Sequence, residues 1–344
     1  MDQSTHMQKS ISLRNLFLYL SFSLFIGLLL CSNLTQAASY QQATKTTHFQ
    51  TSGEVHSITP LNGNIMLVAS AGEGVILADF GQPDKPRIVS TARFSSQAES
   101  IAISRSGQRI YVANGAGGLD ILALSGNGEL KLLGRLDTPS FAFDVAISPD
   151  SKVAYIADNT NGVVVVDVSH SAQPKIIATI PTQASAASVM LSSNGQTLYI
   201  AEQASGIHIV NVSTPFSPQS IAKVRTRGHA QGLALSNDGQ RLFSANNTGG
   251  LQIFDIRQPQ FPRMIGQANT QNAFAVTLSA DNRTAFVSDL FNGVQTINVA
   301  QPNKPVNLGK IKTHGTAEDV ALLPDQKTAL VAGGKSGISI ISFR

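Results

Sequence analysis

Short apolar clusters recur along this chain at an almost constant step of 43 or 44 residues. Each cluster follows the pattern Tyr, Leu or Phe, then Val or Ile, then Ala, with substitutions in the later copies. The copies begin at Leu67, Tyr111, Tyr155, Tyr199, Phe243, Phe286 and Leu330. A series of glycines keeps the same step and consists of Gly74, Gly118, Gly162, Gly206, Gly250, Gly293 and Gly337. A fixed period of this length predicts a repeat architecture.

The third repeat shows most clearly what one unit contains. Residues 143–147 alternate between apolar and polar side chains, and 153–157 form a second apolar stretch. The run 163–168 is almost continuously β-branched, as expected of a strand buried on both faces, and 175–180 supplies a fourth strand. The connections are short and rich in Asp, Asn, Gly and Pro. Four antiparallel strands per repeat, with no helices, predict an all-β fold, a β-propeller of four-stranded blades.

The two ends of the chain predict how many blades there are and how the ring closes. The last repeat supplies only three strands before the sequence stops at Arg344. Residues 47–53 share a Thr-x-Gly ending with other outer-strand segments, such as 224–228 and 310–315. We therefore expect an N-terminal strand to complete the final blade. This predicts a seven-bladed propeller over residues 45–344, closed by that strand.

The N-terminal segment has the order of a secretory signal. Lys9 and Arg14 precede the apolar run 16–31, and Thr35 and Ala37 are small residues suited to cleavage before Ala38. We expect a signal peptide over 1–37, a short linker over 38–44, and a secreted, periplasmic or cell-surface protein. Retention of the segment as an uncleaved anchor remains an alternative, since the run is only slightly shorter than the ~20 residues that span a membrane.

Composition narrows the function classes. Charged residues are 13 %, aromatic residues are 6 %, Trp is absent and the net charge is +4, with the basic residues spread along the chain. Nucleic-acid binders concentrate basic residues on one surface, so we expect no nucleic-acid partner. The only cysteine, Cys31, lies in the predicted signal, so the mature chain would have no disulfides. We also expect no membrane span in the mature chain.

Two repeats resemble a known bacterial family. Residues 162–168, followed by Pro174, and residues 250–256, followed by Pro259 and Pro262, resemble the LVIVD repeat, an apolar run that ends in Asp. The Ser-Pro-Asp and Tyr-Ile-Ala-Asp pieces also resemble YVTN-type propeller repeats. The resemblance implies an exported or cell-surface propeller, and it implies no catalytic residues. Four repeats replace the Asp of the run, at Ala123, Asn211, Asn298 and Ser342.

Carboxylates at the turns and at the starts of the inner strands are candidates for a metal site. In a propeller these positions lie on the face of the inter-blade loops, around the central channel, and oxygen ligands suit Ca²⁺. The alternative is that each Asp or Asn caps its own turn, which its recurrence at one repeat position favours. The candidate metal ligands are Asp144, Asp158, Glu202, Asp289 and Asp319.

A wider set of polar residues is predicted to form a ligand-binding face. These residues fall at the same loops or at the start of an inner strand, and three of them form a small basic cluster that could meet an anion, although a solvated surface patch is the simpler interpretation. The set consists of Glu99, Asn114, Asn246, Arg225, Arg227 and His229.

Motifs of known chemistry are scarce. Residues 329–336 fit a permissive phosphate-loop pattern, but a strand and not a helix is predicted to follow, so we interpret the match as coincidence. There is no Gly-x-Ser-x-Gly elbow and no cysteine nucleophile in the mature sequence. We therefore assign no catalytic residues and no cofactor apart from the calcium hypothesis.

These patterns favour a binding or scaffold module for a protein, a glycan or a small ligand over an enzyme. The alternative is a metal-assisted, lactonase-like propeller hydrolase with its site at the channel mouth. Three or more carboxylate or His side chains that meet at one end of the channel would favour the enzyme. A mouth lined by Ala, Ser and Asn would favour the binding module.

Overall fold

The computed structural model describes residues 40, 43–93 and 96–343, and the predicted signal peptide, 1–37, lies outside them. The described residues form 28 strands in seven four-stranded antiparallel sheets and contain no helix. This part of the chain accordingly has no helix that could span a membrane. The predicted fold, a seven-bladed β-propeller, is confirmed.

Each of the first three complete blades runs from an inner strand at the channel to an outer strand at the rim. Blade 1 consists of β2 (Glu54–Asn62), β3 (Ile65–Ala71), β4 (Gly74–Asp79) and β5 (Arg87–Ala92). Blade 2 consists of β6 (Ser100–Ile103), β7 (Arg109–Ala113), β8 (Leu119–Leu124) and β9 (Leu130–Leu136). Blade 3 consists of β10 (Asp144–Ile147), β11 (Val153–Ala157), β12 (Val163–Asp167) and β13 (Lys175–Ile180).

The remaining blades repeat this order. Blade 4 consists of β14 (Ser188–Leu191), β15 (Thr197–Glu202), β16 (Gly206–Asn211) and β17 (Gln219–Val224). Blade 5 consists of β18 (Gly232–Leu235), β19 (Arg241–Ala245), β20 (Leu251–Asp255) and β21 (Arg263–Ala268). Blade 6 consists of β22 (Ala275–Leu278), β23 (Thr284–Ser288), β24 (Val294–Asn298) and β25 (Val306–Ile311). Blade 7 consists of β26 (Asp319–Leu322), β27 (Thr328–Ala332), β28 (Ile338–Ser342) and β1 (Lys45–Phe49).

The N-terminal strand closes the ring. Strand β1 pairs antiparallel with β28, from Lys45 opposite Ser342 to Phe49 opposite Ile338. The pairing supplies the fourth strand that the last repeat lacks, as predicted. Because each blade buries its two faces against its neighbours, closure leaves only the short outer strands as edges.

The core is divided among the blade interfaces. Seven clusters of buried apolar side chains occur within the described residues, one between each pair of adjacent blades. The recurring apolar clusters of the sequence occupy the second strands, and Tyr111, Tyr155 and Phe243 are among the largest fully buried side chains. The interface of blades 7 and 1 is built in the same way, for example from Val68 and Leu330.

The glycine series has a steric cause. Gly162 has a φ of 87°, and a Cβ there would stand 2.4 Å from the carbonyl oxygen of Ile180 at the end of the outer strand. Only glycine fits a left-handed backbone in such close contact. In blade 7 the same contact involves Gly337 and the carbonyl of Phe49, which belongs to β1. The N-terminal strand therefore occupies the position of an ordinary outer strand.

The chain is also anchored just before β1. Tyr40 is buried, and its hydroxyl donates a 2.7 Å hydrogen bond to the carbonyl of Gln326. Its ring meets those of Phe286 and Phe343 edge-on, with centroids 5.0 and 5.1 Å away. The segment 38–44, expected to be a linker, thus contributes a side chain to the core between blades 6 and 7.

Candidate functional site

The carboxylates at the turns between second and third strands bind the inter-blade loops. Asp158 accepts hydrogen bonds from Thr138 Oγ1 at 2.7 Å and from the Ser140 amide at 3.0 Å. Asp289 accepts hydrogen bonds from the amides of Gln271 and Asn272, in the loop between blades 5 and 6. Glu202 accepts a hydrogen bond from the Gln183 amide at 3.2 Å. These three side chains are buried and have a structural role, but they hold the inter-blade loop that precedes their blade, whereas the capping alternative placed each of them in its own turn.

The two asparagines of the predicted ligand face are buried in the same turns. Asn114 donates a 2.9 Å hydrogen bond to Asp120, and Asn246 donates a 2.7 Å hydrogen bond to the carbonyl of Ser244. Asp120 also lies 3.0 Å from Arg135, but burial dominates and raises the pKa of this carboxyl to about 6. Asn114 and Asn246 therefore contribute to the turns and not to an exposed surface.

The basic cluster lies apart from the channel. Arg225, Arg227 and His229 are exposed on the loop between blades 4 and 5, and none of them lines the channel. The Arg227 backbone is held by Gln252, whose amide group bonds to both its N–H and its carbonyl. The side chains of this cluster remain directed to solvent.

The seven inner strands enclose a channel with a volume of about 1080 Å³. Its lining contains one histidine and four carboxylates, and no Lys or Arg among the described residues. The charges gather at the end where the inner strands begin, beside the inter-blade loops. We call this end the channel mouth and define it by His56, Glu99, Phe143, Phe274 and Glu318.

His56 lies in the channel mouth, at a bulge in the inner strand of blade 1. The register of β2 on β3 shifts between Val55 and Ser57, so His56 is an extra residue in the inner strand. Bulges re-aim side chains in this way and are common beside functional sites. His56 Nδ1 lies 2.7 Å from Glu318 Oε2, and both side chains are about four-fifths buried, with exposures of 20 and 18 %.

The charges of the mouth influence one another. Burial by itself would lower the pKa of His56, but the hydrogen bond to Glu318 and the charges of Glu99, Glu318 and Glu54 outweigh it, and the pKa is raised. Burial raises the pKa of Glu99, the charge of His56 opposes this increase, and the weaker repulsion from Glu318 and then Glu54 adds to it. The mouth therefore holds two carboxylates and only one histidine to compensate their charge.

Two further carboxylates lie deeper in the channel. Asp144 accepts hydrogen bonds from Ser100 Oγ at 2.6 Å and Ser188 Oγ at 2.8 Å, and so links three neighbouring inner strands. Asp319 accepts a 2.9 Å hydrogen bond from the Ile58 amide of the adjacent blade. Burial raises the pKa of both groups. They hold the inner strands together below the mouth.

Two aromatic residues flank the acidic side of the mouth, Phe143 in the blade next to that of Glu99 and Phe274 in the blade next to that of Glu318. Phe143 and Phe274 occupy, in blades 3 and 6, the position that Glu99 occupies in blade 2, immediately before the inner strand. In all three blades the amide of this residue donates a hydrogen bond to the carbonyl of the last residue of the second strand. Phe274 is 36 % exposed, and Phe143 packs against Phe141 with ring centroids 4.8 Å apart. The mouth thus combines an acidic side and an apolar side.

Gly334 leaves space for the acidic side. It follows the repeat position at which five blades carry Asn, Asp or Glu, blade 1 has Ser70 and blade 7 has Gly333. A Cβ on Gly334 would stand 2.8 Å from Glu318 Oε1, and the φ of this residue is +56°. The segment 329–336 is otherwise a strand and a turn followed by β28, so it lacks the helix that a phosphate loop requires.

The five predicted metal ligands do not meet at one point. Asp144 and Asp319 line the channel, whereas Asp158, Glu202 and Asp289 are turn residues within their blades. No group of three or more His, Cys, Asp or Glu side chains among residues 40, 43–93 and 96–343 is arranged to hold a metal ion. The calcium hypothesis therefore has no candidate site in this part of the chain.

Sequence reasoning found part of the mouth. Glu99 was predicted to face a ligand, and it does lie in the mouth. His56 and Phe274 were not selected from the sequence, and Phe143 was placed only in a predicted strand. All three share the repeat position of Glu99, at steps of 43 or 44 residues, and this shared position was the signal that could have identified them.

The fold and this mouth define a seven-bladed propeller with an acidic, partly aromatic channel. The LVIVD repeat model matches residues 96–138, 142–182 and 185–226, about a third of the chain, so the protein contains LVIVD repeats as the sequence indicated. No curated protein matches the chain.

Two solved structures share the architecture. A periplasmic gluconolactonase from Pseudomonas aeruginosa aligns with a TM-score of 0.73 at 18 % identity, over 81 % of this chain and 91 % of that one. A hydrazine synthase from Kuenenia stuttgartiensis aligns with a TM-score of 0.68 at 14 % identity, over 86 % of this chain and 97 % of that one. At these identities the likeness establishes the propeller fold alone.

Proposed function

We propose that this protein is an exported binding module whose channel mouth takes a small organic cation. The observation that carries the proposal is the composition of the channel: Glu99, Glu318 and His56 lie together at its mouth, and no Lys or Arg lines it among the described residues. A low-dielectric cavity with one sign of charge concentrates ligands of the opposite sign. A cation at the mouth would compensate Glu99 and Glu318, which His56 neutralises only in part.

The dimensions of the channel favour a small molecule. Ligand sites in proteins typically have volumes of about 300–1,000 Å³, and this channel is near the upper limit of that range. The aromatic side suits an ammonium group with an attached apolar body, because a cation over an aromatic face gains about 0.5–2 kcal/mol. Phe143 and Phe274 supply aromatic rings in the blades next to those of Glu99 and Glu318.

Calorimetric titration with a polyamine such as spermidine, and with choline, tests the proposal. We expect saturable binding that weakens at least tenfold in Glu99→Gln and Glu318→Gln. Glu129→Gln is the matched control, because Glu129 is an exposed carboxylate on the opposite loops. Equal, non-saturable heats for all four proteins would contradict the proposal.

Affinity should also depend on pH. Protonated His56 compensates the carboxylates of the mouth, so a cationic ligand should bind more tightly once this histidine is neutral. Because the pKa of His56 is raised, the gain should occur above its ordinary value of 6.5. A titration repeated from pH 5.5 to 8.5 should show affinity that increases with pH in the wild type and much less in His56→Ala.

A hydrolase is the second candidate, and a specific observation favours it. His56, Glu99 and Glu318 meet at one end of the channel, which is the arrangement expected of an enzyme. The His56–Glu318 pair could serve as a general base for water. Hydrolysis of a panel of sugar lactones, unaffected by EDTA and lost in His56→Ala, would support this candidate. If the wild type hydrolyses the lactones no faster than His56→Ala does, the hydrolase candidate is wrong.

Export is tested separately. We expect the protein recovered outside the cytoplasm to begin at Ala38, as N-terminal sequencing would reveal. Recovery with residues 1–37 still attached would support the uncleaved anchor.

A further inference from the structure

Blade 4 contains a linear arrangement of serine, histidine and glutamate far from the channel. Ser220 Oγ lies 2.8 Å from His208 Nε2, and His208 Nδ1 lies 2.8 Å from Glu202 Oε1. Nε2 is within hydrogen-bond distance of the hydroxyl, and Nδ1 is within ion-pair distance of the carboxylate. This is the order of nucleophile, base and orienting carboxylate in serine hydrolases. None of the three residues lines the channel.

A site of this kind needs an exposed hydroxyl and a buried base, and the three side chains have these exposures. The side chains of Glu202 and His208 are 1 and 4 % exposed, whereas Ser220 is exposed on the outer strand β17. The outer strand is the edge of the blade, so a substrate could reach the hydroxyl without opening the fold. The base and its carboxylate are shielded from water behind it.

The strand register creates the contact. His208 pairs with Lys223 on β17, and the register then shifts so that Val210 faces Ser220. The irregularity brings the hydroxyl of Ser220 to the imidazole, although twelve residues separate the two in sequence. Other blades have the same shift, so the backbone geometry belongs to the fold and the side chains are specific to blade 4.

The other blades form the same four-stranded sheet without a serine and a histidine at the positions of Ser220 and His208. At the position of Ser220, four other blades carry exposed apolar residues, namely Ile88, Leu132, Ile176 and Met264. At the position of His208 the other blades carry Ile76, Asp120, Val164, Gln252, Gln295 and Ser339. The Ser–His pair therefore occurs in one blade only among the described residues.

The electrostatics fix the protonation of the histidine. Burial would raise the pKa of Glu202, but the hydrogen bond with His208, the Gln183 amide and the charges of His208 and Lys223 lower it. An ionised Glu202 requires a proton on the nitrogen that faces it, Nδ1. The lone pair of Nε2 then points to Ser220. Glu202 and Nδ1 are within ion-pair distance but not aligned for a straight hydrogen bond, a looseness that is common before a substrate binds.

We propose that Ser220 is an acyl-accepting nucleophile for small activated esters, with His208 as its base and Glu202 as the positioning residue. Ser220 Oγ would attack the carbonyl carbon while its proton passes to His208 Nε2. The bond to the leaving alcohol then breaks, and the alcohol takes that proton. Water would release the acyl group by the same sequence, with His208 as base again. Ester and water are the only reactants.

A fluorophosphonate probe tests the nucleophile directly, because its phosphorus–fluorine bond is broken by an activated serine and fluoride leaves. Peptide mass spectrometry should locate the label at Ser220 in the mature protein. Ser220→Ala should abolish labelling at this site, and His208→Gln should slow it at least tenfold. Ser217→Ala is the matched control, an exposed serine on the same segment that should label as the wild type does.

Thermal melting separates an effect of each substitution on folding from an effect on the labelling reaction. Each variant is compared by thermal melting, and Ser220→Ala, at an exposed position, should melt like the wild type. In Glu202→Gln the labelling rate should decrease at least tenfold, and Glu202→Asp, which keeps a carboxylate, should recover part of the rate. If Glu202 were merely structural, the labelling rates of folded Glu202→Gln and Glu202→Asp would be equal. Absence of label at Ser220, or equal rates in wild type and folded His208→Gln, would overturn the proposal.

Discussion

Replacement of Tyr40 by alanine should destabilise the propeller although Tyr40 precedes the first strand. Its ring fills the space between Phe286 and Phe343, and its hydroxyl bonds to the carbonyl of Gln326. Loss of a buried aromatic ring costs about 3–5 kcal/mol, including the cavity that remains. For a domain of roughly 300 residues, whose unfolding entropy is about 0.6 kcal/mol per degree, the melting temperature should decrease by about 5–8 °C.

Differential scanning calorimetry of the mature chain measures this effect. Tyr40→Phe is the matched control, since it keeps both edge-on ring contacts and removes only the hydrogen bond. It should cost about 1 kcal/mol, or about 2 °C. If Tyr40→Ala melts within a degree of the wild type, residues before β1 do not anchor the ring, and the closure depends on strand pairing alone.

Two further predictions concern the blades. Because burial raises the pKa of Asp120 to about 6 from 3.8, its favourable contribution is complete below pH 3.8 and is lost as the pH rises through 6. Urea unfolding from pH 4 to pH 7 should therefore show the wild type losing about 3 kcal/mol relative to Asp120→Asn, whereas a constant difference would contradict the buried, proton-binding carboxyl. Gly162→Ala should cost well over 1 kcal/mol, since the new methyl group would overlap the carbonyl of Ile180. Gly63→Ala, at a φ of +50° but with open space, should cost about 1 kcal/mol, and equal melting of the two variants would refute the steric argument.

The repeat made the fold predictable. A step of 44 residues fixes which residues occupy equivalent positions, so the strand order read from the third repeat applies to the others. The same step led from the three-stranded last repeat to an outer strand supplied by the N-terminus. Tyr40 was not foreseen, because a single aromatic residue in a polar segment carries no periodic signal.

The site was less predictable because its residues share a repeat position but not a residue type. His56, Glu99 and Glu318 stand at one repeat position, which recurs every 43 or 44 residues, with Phe143 and Phe274 at the same position of other blades. Conversely, Asp158 and Asp289 recur at one repeat position with a similar residue type and prove to bind loop amides. A repeat position that keeps its residue type indicated structure, and one that varies indicated candidate chemistry.

The Ser220 site shows the same limit. Glu202 was grouped with the turn carboxylates on its repeat position, and this is correct for its contact with the Gln183 amide. Its second contact depends on His208, which lies on the next strand and faces an outer-strand serine. Which side chains meet across two strands depends on the strand register. The sequence pattern does not show where a bulge shifts that register, so it does not predict this contact.

The most direct measurement of the central claim is a crystal structure of the mature protein with a bromine-bearing organic amine. Anomalous scattering from bromine would locate the ligand without ambiguity. The account predicts one strong peak within the channel, with the ammonium group at Glu99 and Glu318 and the apolar body against Phe143 and Phe274. A channel that stays free of the amine at saturating concentration, or a peak only at the outer surface of the blades, would contradict it.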